Sequence, residues 1–117
     1  HIPDKKIVFE VTRSNYERLI EGGVKIYEYT PGFVHGKVML SDEQSAVVGT
    51  VNMDYRSYYL HYECGVWMYQ TPCLRDIRKD LEECFARSQQ VTLEECRSVS
   101  VPRRFLRAFL NIISPIM

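Results

Sequence analysis

The sequence predicts an α/β (α+β) fold, a mixed β-sheet flanked by helices, over a single domain spanning residues 1–117. Three features point to it. Short apolar runs of strand length recur between residues 24 and 69, bounded by Gly, Pro or polar turn residues. A longer segment after Pro72 carries its apolar positions at helical spacing. A hydrophobic content of 45%, with 12% aromatic residues in a chain of 117, is enough for one core and too high for a disordered segment.

Asp4 can cap a helix that runs through Tyr16, Leu19 and Ile20 and closes at Gly22-Gly23, where glycine accepts the left-handed conformation. VKIYEY (24–29) alternates Val24, Ile26 and Glu28 against Lys25, Tyr27 and Tyr29 before the Pro31-Gly32 turn. FVHGKVML (33–40) sets Phe33, His35, Lys37 and Met39 on one strand face, opposite Val34, Val38 and Leu40. SDEQ reads as a turn, SAVVGT as the next strand and ECGVWMY as a fourth. In CLRDIRKDLEECFARS (73–88), Cys73, Leu74, Ile77, Leu81, Cys84, Phe85 and Ser88 share one helical arc, which should cover the sheet. TLEEC (92–96) is a short helix, with Glu95 placed three residues after Thr92 for a capping box.

Pro102 suits the first turn of a helix over PRRFLRAFLNII (102–113). Arg103, Arg104, Arg107 and Asn111 cluster on its wheel, and Phe105, Leu106, Phe109, Leu110, Ile112 and Ile113 are assigned to the opposite side. Two roles are open for it. The apolar side docks on the domain and the arginines are solvated, or the helix lies on an anionic bilayer as a basic amphipathic element. Docking is expected, since so apolar a domain end usually packs, and both hold together if only the arginines reach lipid.

Fifteen basic residues balance fifteen acidic ones, so the chain lacks the general pull on nucleic acid that a basic domain exerts, and no nucleic-acid partner is expected. Cys64, Cys73, Cys84 and Cys96 match neither a C-x-x-C pair nor a zinc pattern and read as reduced, buried thiols of a protein on the cytosolic side. No apolar run reaches about 18 residues, the length of a membrane span, and no signal peptide opens the sequence, so this piece is expected to be soluble or peripheral. Its start at His1 without an initiator Met suggests a processed or excised piece of a longer protein.

The chemistry concentrates in residues 32–63. His35 and Lys37, two cation-capable side chains on one half-buried strand face, are costly to place there without an anion between them. The pattern His35-x-Lys37-x-x-x-x-Asp42, then Gly49-Thr50-x-Asn52 and Asp54-x-Arg56-Ser57, resembles the signature of the phospholipase D superfamily. GVKIYEYTPGFVHGKVMLSD, GTVNMDYRS, the VTLEE segment and the closing NIISPIM extend the likeness to the C-terminal half of bacterial cardiolipin synthases, over essentially the whole chain.

A phosphodiester is the anion that fits. Lys37 and the Asn52 amide suit its non-bridging oxygens, with Thr50 as a further phosphate-binding residue, and the His35 imidazole can attack phosphorus or pass a proton. The resemblance implies half of a phospholipase D-like fold, residues 1–117 supplying the second of two motifs. It also implies an acidic residue on a neighbouring strand that holds the catalytic imidazole, for which Glu63 is the candidate. Asp42 belongs to the family's motif, although its position past the strand end suits a turn acceptor or a nearby base. Asp54, Arg56 and Ser57 read equally as a networked turn that positions Asn52 or as substrate contacts, and His61 as a surface or loop residue.

The family pattern has two motifs per active site and amino-terminal transmembrane helices. This sequence has one motif and none of those helices. The implied reaction joins two phosphatidylglycerol molecules through a phosphohistidine with release of glycerol, without metal or other cofactor. The implied partners are phosphatidylglycerol, anionic membrane lipid and either the missing first-motif half or a second copy of the chain. The implied location of the intact protein is the cytoplasmic face of the cell membrane. Two other readings are a single-motif homodimeric phosphodiesterase or nuclease, which the neutral charge disfavours for the nuclease, and a catalytically silent fragment.

Overall fold

The fold is seen in a computed structural model that describes residues 6–113, so the expected Asp4 cap lies outside the described residues. The elements along the chain are α1 (Lys6–Ser14), α2 (Tyr16–Glu21), β1 (Tyr27–Tyr29), β2 (Lys37–Ser41), β3 (Ser45–Gly49), α3 (Tyr55–Tyr59), β4 (Gly65–Tyr69), α4 (Leu74–Ala86), β5 (Ser88–Gln90), α5 (Leu93–Arg97) and α6 (Val101–Ile113). Helices and strands combine as an α/β protein, with the strands divided between two antiparallel sheets, β1-β5 and β2-β3-β4. They belong to two compact units: the described residues up to Phe33 with those from Arg87 onward, and Val34–Ala86.

In the first unit the expected opening helix breaks at Asn15, whose amide turns back to the Thr12 carbonyl at 3.1 Å. It closes as the glycines require: the Gly23 amide reaches the Ile20 carbonyl at 2.9 Å and Gly23 has φ of 89°. Only the second half of the expected 24–29 strand forms, as β1. Its register with β5 pairs Tyr27 with Gln90 and Tyr29 with Ser88. The alternation points Glu28 inward, where it is 6% exposed, and Arg13 neutralises it with a two-pronged hydrogen bond at 2.7 and 2.5 Å. Beside this pair, burial and then the Glu28 charge push the Tyr16 hydroxyl up to about 12. These groups line a cavity of about 180 Å³ with Cys96 and Arg107.

Thr92 caps α5 in the expected capping box: the Glu95 amide reaches the Thr92 hydroxyl at 3.2 Å and the Thr92 amide reaches the Glu95 carboxylate at 2.9 Å. Helix α6 docks on α1, but through its arginines. Glu10 of α1 accepts hydrogen bonds from Arg103, at 3.2 Å from Nε, and from Arg107 at 2.8 Å, and Arg107 and Leu110 are buried. Leu110 stands three residues from Arg107 and therefore shares its face, rather than lying opposite. Phe105, Phe109 and Ile112 are 73%, 61% and 76% exposed, so the expected docking of the apolar side is corrected. The single carboxylate on α1 selects the cationic stripe.

In the second unit β2, β3 and β4 form a meander. Its hairpin turn takes Asp42 and Glu43 into the left-handed region, at φ of 50° and 58°, with the Gln44 amide closing on the Ser41 carbonyl at 3.1 Å. Register places Leu40, Ala46 and Met68 in one row on one face. Helix α4 packs against β2, with Ala46 and Leu74 buried and the Cys73 thiol 3.5 Å from the Met68 sulfur. Most of the expected α4 arc faces inward, and Phe85 is the exception, at half exposure. All four cysteines are free thiols, and Cys64 is exposed where burial was expected.

Candidate active site

Register alone assembles the site. Lys37 pairs with Gly49, and Gly49 with Gly65, so the start of β2, the end of β3 and the start of β4 lie in one row. The chain just outside that row carries His35 before β2, Thr50 and Asn52 after β3, and Glu63 before β4. A side chain at Gly49 would press on the Cys64 carbonyl and come within 2.7 Å of the Gly65 Cα, so only glycine lets the strands close here.

Strand β2 begins at Lys37, not at Phe33, so His35 sits in the preceding loop and does not share a strand face with Lys37. The two meet because the Lys37 ammonium folds back: Nζ donates to the His35 carbonyl at 2.7 Å and stands 3.3 Å from both ring nitrogens. An ammonium only donates, so a ring nitrogen that accepts from it carries its lone pair. Among the described residues no carboxylate forms an ion pair with Lys37.

Thr50 ties β3 to the approach of β4. Its amide donates to the Cys64 carbonyl at 2.9 Å, its hydroxyl oxygen accepts from the Cys64 amide at 3.1 Å, and the hydroxyl donates to the Glu63 carboxylate. That bond from Thr50 is the main reason the Glu63 carboxyl lies below its ordinary value; desolvation opposes it, and a hydrogen bond from Ser57 and the nearby His61 reinforce it.

Asp54 is the N-cap of α3, accepting from the Ser57 amide at 2.7 Å. The buried Ser57 hydroxyl accepts from the Asn52 backbone N–H at 3.3 Å. Asp54 and Ser57 thus form the networked turn that sets Asn52, which is exposed. Arg56 Nε donates to His61 Nε2 at 2.8 Å across the length of α3. Nothing in the sequence marked that pair, since Arg56 lies inside α3 and His61 beyond its end.

The structure therefore brings His35 and Lys37 together, and joins Thr50, Ser57 and Glu63 at the same end of the sheet. Asp42 is not brought there: it lies beyond the other end of β2, five strand residues or roughly 16 Å from Lys37, where its carboxylate accepts from Ser41 at 3.3 Å. Of the three arginines expected at a membrane surface, Arg103 and Arg107 are bound to Glu10, and Arg104 is exposed. Among the described residues no cluster of His, Cys, Asp and Glu could hold a metal ion, and no helix is long and apolar enough to cross a membrane.

The family model for the cardiolipin synthase, PLD-like domain matches residues 1–87. Curated relatives include cardiolipin synthases of Halalkalibacterium halodurans, 36% identical over 98% of this chain and 23% of that protein, and of Geobacillus kaustophilus, 37% identical over the same shares. An uncharacterized protein of Streptococcus mutans is 43% identical over 99% of this chain and 25% of its own length. The chain spans about a quarter of the length of the curated relatives it matches. No solved structure gives a significant match. With the motif residues other than Asp42 at one end of a sheet and the family model covering most of the chain, this chain belongs to the cardiolipin synthase family of phospholipase D-like domains.

Proposed function

We propose that the chain supplies one of two half-sites of a phosphatidyltransferase that joins two phosphatidylglycerol molecules into cardiolipin and releases glycerol. The observation that carries the proposal is the Lys37 ammonium at 3.3 Å from both nitrogens of the His35 ring and without an ion-paired carboxylate among the described residues, at the sheet end where register also places Asn52 and the Thr50–Glu63 pair.

In this reading Lys37 and the Asn52 amide hold the non-bridging oxygens of the donor phosphodiester. One imidazole nitrogen attacks phosphorus as the bond to the headgroup glycerol breaks, and a second imidazole gives that glycerol oxygen its proton. A headgroup hydroxyl of the second lipid then returns a proton to the second imidazole and attacks phosphorus, and the phosphorus–nitrogen bond breaks. His35 supplies one of the two imidazoles. The other comes from a complementary half-site, either elsewhere in the same polypeptide or on a second copy. Glu63 orients His35 and stabilises its charged form, with Thr50 keeping the carboxylate ionised. The working location is an anionic membrane surface, reached by the native protein on the cytoplasmic face, where Arg104 is the one arginine of α6 that is not engaged by Glu10.

The test is product analysis of the native protein on phosphatidylglycerol vesicles. Cardiolipin and free glycerol in equal amounts are expected. Phosphatidic acid without cardiolipin would replace the transferase with a hydrolase.

A further inference from the structure

Joining two phosphatidylglycerol molecules brings two phosphates to one site, and the His35–Lys37 pair serves only the one under attack. We propose that Arg56 and His61 form a second phosphodiester subsite, which holds the phosphate of the acceptor lipid. This rests on the transferase reading above and specifies how its second substrate is bound.

The pair is built for an anion. Arg56 uses Nε on His61 Nε2, at 2.8 Å, which leaves both terminal nitrogens of the guanidinium as donors. With Nε2 accepting, the proton of the neutral ring sits on Nδ1, a further donor. Of the arginines held by a side-chain hydrogen bond among the described residues, Arg13, Arg78, Arg97, Arg103 and Arg107 are held by a glutamate and Arg56 by a histidine. The nearby carboxylates are committed elsewhere: Asp54 caps α3 and Glu63 takes the Thr50 hydroxyl. A guanidinium beside an imidazole N–H matches a phosphodiester monoanion.

The position is set by the same connection that forms the catalytic end. Arg56 precedes Ser57, which is buried and fixes Asn52, and His61 stands two residues before Glu63. Tyr55 and Tyr59 flank Arg56 on α3 with ring centroids 4.6 Å apart, both exposed. Exposed amphipathic tyrosines on the helix that carries Arg56 favour a lipid headgroup at a membrane interface over a free phosphate.

A competition between acceptors tests the subsite in the native protein. Phosphatidylglycerol vesicles are supplied with butanol, which accepts the phosphatidyl group but has no phosphate of its own. Arg56→Gln and His61→Gln are expected to lower the ratio of cardiolipin to phosphatidylbutanol by about tenfold, and Arg56→Lys, which keeps charge but loses the fork, by less. An unchanged ratio, including a parallel fall of both products, would overturn the proposal. Inorganic phosphate should compete only weakly; Arg56-dependent phosphate binding with an unaltered product ratio would assign the subsite to free phosphate instead. If Arg56→Gln does not fold, the Arg56→Lys and His61→Gln ratios decide. Wild-type protein that yields neither product would remove the transferase reading itself, a different failure from an unchanged ratio.

Discussion

The Thr50 hydroxyl donates to the Glu63 carboxylate and accepts from the Cys64 amide at 3.1 Å, so one side chain both joins β3 to the approach of β4 and holds an acid at the site. Removing the hydroxyl while keeping the shape should release that acid. In Thr50→Val the Glu63 carboxyl is expected to titrate nearer its ordinary value, because the Thr50 bond is the largest cause of its lowering. If the ionised carboxylate is the working form, the acidic limb of the pH–rate profile moves to higher pH, with a rate loss of roughly tenfold for one hydrogen bond to a charged group. An acidic limb identical to wild type would separate Thr50 from the chemistry.

Lys37→Met keeps the stem of the side chain and removes the ammonium that faces His35. Turnover should fall by about 10²-fold or more, as for loss of one charge donor to the transition state. The loss should appear in kcat more than in KM. An unchanged kcat would mean that the ammonium is not used in the reaction.

Glu10 is held from its ordinary 4.5 down to about 2, chiefly by its hydrogen bond with Arg103, against desolvation and with help from Arg107. A carboxyl lowered on folding stabilises the fold fully above its ordinary value and loses that contribution as pH falls toward about 2. Glu10→Gln should therefore lower Tm by about 4 °C at pH 7, with the gap to wild type narrowing below about pH 4.5. A gap that stays constant down to pH 2 would contradict the linkage.

The arginines of α6 should separate in the same assay. Arg104→Gln leaves the Glu10 contacts intact and is expected to change stability by less than about 0.5 kcal/mol, whereas Arg107→Gln strips a buried cation from its carboxylate and should cost clearly more. Equal effects would mean that the docking of α6 on α1 does not depend on the Glu10 pairing.

What the sequence made legible was local. The Thr92–Glu95 box and the inward arc of α4 depend on neighbours three and four residues away, and both formed where spacing placed them. Strand β5 was not legible, because Ser88, Gln89 and Gln90 have no strand pattern and are extended by pairing with β1 some 60 residues earlier. The orientation of α6 was misjudged for a related reason: hydrophobicity pointed one face inward, but Glu10 on a distant helix engages the other. At the candidate site, residue types and spacing named His35, Lys37, Thr50 and Asn52, and the family resemblance added Glu63. The fold-back of Lys37 onto a loop histidine and the Arg56–His61 contact needed coordinates, since neither follows from strand alternation.

The central claim is that His35 is one of the two imidazoles that exchange the headgroup. The most direct measurement is cardiolipin formation by His35→Ala in the native protein, alongside its thermal unfolding. The exposed loop position of His35, outside the packed core, predicts an unfolding temperature close to wild type, and the mechanism predicts a fall in cardiolipin formation of at least about 10³-fold. Cardiolipin formed at near wild-type rate by the folded variant would contradict the account.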